Sequence, residues 1–396
     1  MKIVFFIILS IITITKIDAF AQGINISADS LDAQFLNPPI SLKPYVWWHW
    51  MGTNFSEEGI TKDLEAMKAS GIGGATIFNI SSSVQETHSP ILNNPWPDQT
   101  YRSPAYWKAL RFAASEAKRL GLKIGLQNTA GYATTGGPWI DEKRGMQKIV
   151  WSITEIKGDT YLSVKIPEPE RPNYTGYGTT GQKAVYYHDI ALLAIPDIKN
   201  PTINNIIDLS SMMNEKGILT WDVPDGKWTV YRIGYSPTGA NPHPLPDELI
   251  GHSLEADKMS AEQSAYHWEK ILNPLKEHLG DYIGKSFDHI LIDSYEAGFQ
   301  NWTPFFREEF IKRKGYDPVP WILCFGQVIT NSRENNLARI LGNEEQTKRF
   351  EWDFRDVINQ LYFDNGWKIG KQMINNAGLK FYFEPYGIDA PFSTSQ

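Results

Sequence analysis

Two rhythms of apolar positions alternate along this chain. Residues 45–50 (YVWWHW), 75–80, 122–127, 287–292 and 379–383 are short apolar runs of strand length. Between them lie stretches whose apolar residues fall three and four apart. The first is opened by Ser56, followed by Glu57 and Glu58, with Ile60, Leu64 and Met67 along one face. A hydroxyl at the cap and acids in the first turn suit the unpaired amides and positive end of a helix. Gly71 suits the left-handed position after it. Ser103-Pro104 opens the next helix and Gly121 stops it. The strings LGLKIGLQ at 120–127 and AGLKFYFE at 377–384 are near copies of one helix-stop-strand joint. Strand and helix in alternation predict an α/β fold, with a parallel sheet covered by helices.

Between residues 145 and 255 the rhythm shortens to period two. KIVWSI, TYLSVKI, IALLAI and KWTVYRIGY are strand-like and separated by Pro, Gly and Asp turns. They predict a sandwich-like all-β domain, 145–255, inserted between a first α/β part, 22–144, and a second, 256–396. The second part opens with Ser260 and Gln263 at capping-box spacing. It continues into a helix opened by Thr303-Pro304 and closed by Gly315. The α/β strands number five, and a closed (β/α)8 TIM barrel needs more. Two architectures fit: an open sheet, or the front part of a longer barrel.

Composition adds a compartment. Lys2, an apolar run from Ile3 to Ile14 and Ala19-Phe20-Ala21 read as a signal peptide over 1–21. A membrane anchor is the competing reading, but the run is shorter than the ~20 apolar residues of a span. No later segment has the length and apolarity to cross a bilayer, so the expectation is export to the periplasm or beyond. The single Cys324 allows no intrachain disulfide. A net charge of −7 without a basic block argues against nucleic acid or an anionic membrane as partner. Nothing in the chain speaks to its oligomeric state. Aromatics make up 13% of residues, with 14 Trp, which suits a protein that stacks sugar C–H faces on rings.

Two strands end in acids. ILID-SYEAG places Asp293 and Glu296 after one apolar run, and FYFE-PYG places Glu384 after another. Strand C-termini of a barrel share one face, and two carboxylates from different strands are what glycoside hydrolysis uses. The plainer reading makes them helix caps or partners of loop cations; two such ends, each beside a Tyr and a Gly, favour the catalytic one. Glu296 and Glu384 are therefore the candidate catalytic pair. The other strand ends contribute candidate sugar-binding groups: Trp48, His49, Trp50, Asn79 and Asn128, joined by Asp293, Tyr295, Trp302 and Tyr386. Half of the WWHW run must face away by alternation, and a lone His is more often structural than a ligand.

YVWWHWMGTNFSEEGITKDLEAMKASGIGGATIF, DSYEAGFQNWTPFFREEFIKRKGYDP and GLKFYFEPYG resemble glycoside hydrolase family 106, the α-L-rhamnosidases. GHSLEADKMS at 251–260 resembles the family's return from its β insertion to the barrel. The likeness runs over roughly residues 38–390. It implies an exo-acting, inverting hydrolase on a (β/α)8 barrel, acting on plant pectic glycosides that contain rhamnose. It also implies calcium dependence; Asp293, Glu384 and the Asn128 amide are of the hard-oxygen type such an ion takes, with no coordination set fixed by the sequence. Glu296 matches the motif glutamate taken as general acid, and Glu384 one that serves metal or substrate. The family's other catalytic carboxylate is expected further along.

Two rivals stand beside this reading. One is a carbohydrate-binding chain without turnover. The other is a retaining glycosidase that uses Glu296 and Glu384 as its own pair. Gly71, Gly73 and Gly74 lack the spacing of a dinucleotide loop, and no G-x-S-x-G is present.

Overall fold

The computed structural model describes residues 28–84, 89–90, 92–132, 134–174, 181–295, 297–324 and 340–384. Residues 1–43 form a unit of their own, whose described part is a helix, α1 (Ala28–Leu36), and a 3-10 turn, Ile40–Leu42. The second unit, 44–396, holds all other elements. Its strands in chain order are β1 (Tyr45–Met51), β2 (Gly74–Ile80), β3 (Lys123–Gln127), β4 (Gln147–Lys157), β5 (Thr160–Lys165) and β6 (His188–Pro196). They continue with β7 (Ile207–Asp208), β8 (Ile218–Val223), β9 (Lys227–Pro237), β10 (Phe287–Ile292) and β11 (Lys380–Phe383). The helices are α2 (Glu57–Ala69), α3 (Pro104–Leu120), α4 (Ala261–Leu279), α5 (Phe306–Lys314), α6 (Glu344–Leu361) and α7 (Lys368–Asn376).

Five parallel strands form one sheet in the order β1-β2-β3-β10-β11, which is also chain order. Each new strand is added at the same edge because its crossover runs over the same face. The helix signals work locally as expected. The Ser56 and Ser103 hydroxyls accept from the amides of Gly59 and Tyr106, and Gly121 ends α3 at φ 69°. The buried face of α3, with Tyr106, Leu110, Ala113 and Ala117, packs with Trp48, Trp50, Ile77, Ile124 and Trp268. Each such large apolar side chain contributes about 1.5–3 kcal/mol by leaving water. On the sheet's other face, Gly125 makes room for His289: a Cβ there would lie 2.3 Å from the imidazole.

Two sequence expectations need correction. Helix α5 starts at Phe306, after Thr303-Pro304, because the Thr303 hydroxyl donates to Asp257 rather than capping the helix. At α4 the capping box is half made. The Ser260 hydroxyl accepts from the Gln263 amide, while Gln263 Oε1 has no hydrogen-bond partner.

Residues 147–237 form antiparallel sheets, in the order β4-β9-β6-β7 and β8-β5. Alternation gives the four-stranded sheet two apolar faces. Leu192, Ala194, Trp228 and Val230 meet Leu219, Trp221 and Val223 from β8. Leu193, Ile195, Tyr231 and Ile233 instead share a core with Phe306, Phe310, Phe350 and Phe354 of α5 and α6. The antiparallel layer is thus welded to helices of the later α/β segment. Among the described residues no helix is long and apolar enough to cross a membrane.

Candidate active site at the carboxyl edge of the parallel sheet

All five parallel strands release their carboxyl ends along one edge. Ile292 pairs with Phe383, and the Glu384 amide donates to the Ile292 carbonyl at 3.0 Å. Asp293 and Glu384 therefore leave neighbouring strands at the same level. Asp293 is buried, and its Oδ1 accepts from the Ser294 amide at 2.8 Å. Glu384 is half-buried. Glu296 and Tyr386 lie outside the described residues.

The aromatic wall beside Asp293 comes from β1 and from the loop after β3. Trp47 is 47% exposed, and its ring centroid lies 4.8 Å from Phe78 and 5.9 Å from Tyr132. The Tyr132 hydroxyl is 3.3 Å from His49 Nε2. Loss of water around the imidazole lowers the His49 pKa. Burial first, and the charge of Asp293 second, raise that of Tyr132. Both rings are thus neutral near pH 7, and a hydrogen bond joins them. Tyr132 was not among the sequence candidates, and Trp47 figured there only as part of the WWHW run. Alternation pairs Trp47 with His49, but β1 meets apolar groups on both faces, so the sequence leaves the inward phase unassigned.

The remaining candidates go elsewhere. Trp48 and Trp50 face the helices. Trp48 Nε1 donates to Asp63 Oδ2 at 3.0 Å, and Trp50 stacks on Phe55 at 4.4 Å. Asn79 joins that side, donating to the Tyr106 hydroxyl at 3.2 Å. Trp302 is buried 4.9 Å from the Phe306 ring. Tyr295 is buried with its hydroxyl 2.9 Å from that of Tyr362. Asn128 is fully buried and structurally committed, its Nδ2 donating to the Thr134 carbonyl at 2.9 Å. His267 lies 2.9 Å from Asn128 Oδ1, and Trp139 Nε1 donates to its Nδ1 at 3.3 Å. Burial, then the charges of Lys258 and Arg102, push the His267 pKa down to about 3. The ring is neutral, and Nε2–H donates to Asn128. That bond occupies the amide oxygen suggested for calcium. Asp293 and Glu384 leave adjacent strands, and among the described residues no three His, Cys, Asp or Glu groups cluster as metal ligands.

A buried charged network supports the loop after β10. Glu255 and Lys258 are each 1% exposed and paired at 2.7 Å, and Lys258 Nζ lies 5.4 Å from the Tyr295 ring centre. Asp257 accepts from Gln300 and from the Thr303 hydroxyl, yet burial raises its pKa to about 6. The Ile149 amide donates to Asn301 at 2.7 Å. Residues on both sides of Glu296 are thus pinned. The sequence signal was E-A-D-K within GHSLEADKMS, which looks like any solvated charge pattern.

A family model described as alpha-L-rhamnosidase, glycoside hydrolase family 106, matches residues 36–197 and 186–395. A Formosa agariphila protein, provisionally named a beta-glucuronidase, is 35% identical over 413 residues, covering 96% of this chain and 32% of its own length. The solved structure of a rhamnosidase from Novosphingobium sp. PP1Y superposes with a TM-score of 0.73 at 23% identity, over 91% of this chain and 48% of that one. The chain thus spans about a third of the length of the first and about half of the second. With the family model matching nearly its whole length beyond residue 35, the chain belongs to glycoside hydrolase family 106.

Proposed function

We propose that this chain forms part of an exported, exo-acting, inverting α-L-rhamnosidase that removes rhamnose from plant pectic glycosides. The observation that carries the proposal is the pair Asp293 and Glu384, level on adjacent parallel strands, with Tyr132 of the Trp47, His49 and Tyr132 wall near enough to Asp293 to feel its charge. In this reading Glu296 is the general acid that protonates the leaving oxygen. Asp293, three residues before it, supplies a negative field that disfavours its ionisation and keeps its proton available at neutral pH. Trp47 and Tyr132 pack against the apolar face of the sugar.

The test is to assay the complete protein on aryl α-L-rhamnosides and aryl β-D-glucuronides, reading the first-formed anomer by NMR. Rhamnose released with inversion supports the proposal. Retention, or cleavage of the glucuronide alone, overturns it. Calcium remains an expectation of the family resemblance, with Asp293 and Glu384 as its donors. Equilibrium dialysis should then show calcium retained by the complete protein and lost from Asp293→Asn, and equal retention by both would rule out that placement.

A further inference from the structure

A second polar cavity opens along the same edge, after β2. It has a volume of about 520 Å³ and is lined by Ser82, Ser83, Asn93, Asn94 and Asp247, with Leu92 and Ile250 as its apolar part. The Asp247 carboxylate gathers three hydroxyls: Ser81 and Ser83 each donate to Oδ1 at 3.1 Å, and Ser82 to Oδ2 at 3.3 Å. Asn94 Nδ2 donates to the Ser82 oxygen at 3.0 Å, and Asn94 Oδ1 accepts from the Thr53 amide at 3.0 Å. A serine has one hydroxyl proton, and here each has Asp247 to donate to or, between Ser81 and Ser83 at 2.9 Å, a neighbouring serine. Remaining lone pairs on the serine oxygens and on Asp247 are what this part of the wall offers a ligand. Among the described residues the lining includes no Lys, Arg or His.

We infer that this cavity is a binding site for a neutral glycosyl unit of the substrate, distinct from the unit cleaved. The inference rests on the proposed function and extends it. A ligand here must bring donors, carry no negative charge and present an apolar patch to Leu92 and Ile250. A neutral pyranose meets all three conditions, while a uronate is repelled by Asp247. The place also fits. Ser81 follows β2 and Asp293 follows β10, two strand positions away, or about 10 Å along the sheet. An oligosaccharide of a few units spans that distance.

The experiment compares the complete wild-type protein with Asn93→Ala and Asp247→Asn. The probes are an aryl α-L-rhamnoside and two rhamnose-terminated trisaccharides, one wholly neutral and one with a uronate as its third unit. For each variant the ratio of kcat/KM on the neutral trisaccharide to that on the aryl glycoside should fall about tenfold, the equivalent of one hydrogen bond to a charged or well-ordered partner. Asp247→Asn should also narrow the gap between the neutral and uronate chains. Asn93 is exposed, so Asn93→Ala keeps the test valid even where Asp247→Asn perturbs the serine cluster. Saturation-transfer NMR with the Glu296→Gln protein reads trisaccharide binding without turnover. That measurement separates failure of this site from failure of the proposed reaction. Unchanged ratios in both variants overturn the inference. So does preference for the uronate chain, or calorimetric binding of calcium alone that Asp247→Asn abolishes while neither trisaccharide binds.

Discussion

At the scale of single residues, the clearest electrostatic statement concerns His267. Its pKa falls from 6.5 to about 3 on burial, so the folded protein keeps the ring neutral where the unfolded chain would protonate it. The unfolded state binds more protons in that interval, and stability therefore rises with pH across it. The contribution is complete above 6.5 and is lost as pH falls toward 3. Asp257 acts in the opposite sense, since its raised pKa favours the protonated folded form between 3.8 and about 6. A bulk denaturation curve mixes the two, whereas imidazole resonances separate them. The His267 ring signals should stay at neutral shifts from pH 8 to pH 4, and a midpoint near 6.5 would contradict the buried, Asn128-bonded ring. Residue identity told us less here. Asn128 looked like a sugar or metal ligand because it follows a strand, and only the fold shows its amide consumed by Thr134 and His267.

At the scale of elements, strand and helix boundaries were largely legible. The signals are chemical and local: a hydroxyl at a cap, a glycine at positive φ, an apolar run between them. The direction each strand residue faces was not legible, because a parallel strand covered on both sides lacks an apolar–polar alternation. Trp47 and Trp48 differ in fate for that reason alone. Close approach between elements was also hidden. Nothing in LGLKIGLQ marks Gly125 as the position that admits His289 from β10. Gly125→Ala would put a methyl 2.3 Å from that ring. The folded protein should lose about 1–3 kcal/mol, measured as a lower urea midpoint at unchanged slope. A change within error would mean the two strands pack less tightly than described.

At the scale of the whole molecule, a parallel sheet of five strands was legible in strand–helix alternation, but the supporting network was not. Glu255 and Lys258, three apart in sequence, resemble a surface pair, yet both are buried under the loop that carries Tyr295 and Gln300. Removing one charge strands the other in an apolar surround. Lys258→Met should cost about 3–5 kcal/mol, and the double change with Glu255→Gln should recover part of it in thermal melts. A fully additive double change would show the pair to be uncoupled. The central claim is that the edge bearing Asp293 and Glu384 is a glycosidase site whose acid is Glu296. Its most direct test is the dependence of the Glu296→Gln rate on leaving group, in the complete protein with aryl α-L-rhamnosides. Turnover should fall roughly 10²–10⁴-fold on poor leaving groups, and far less on activated ones that need little protonation. Equal loss on both kinds of substrate would contradict the assignment.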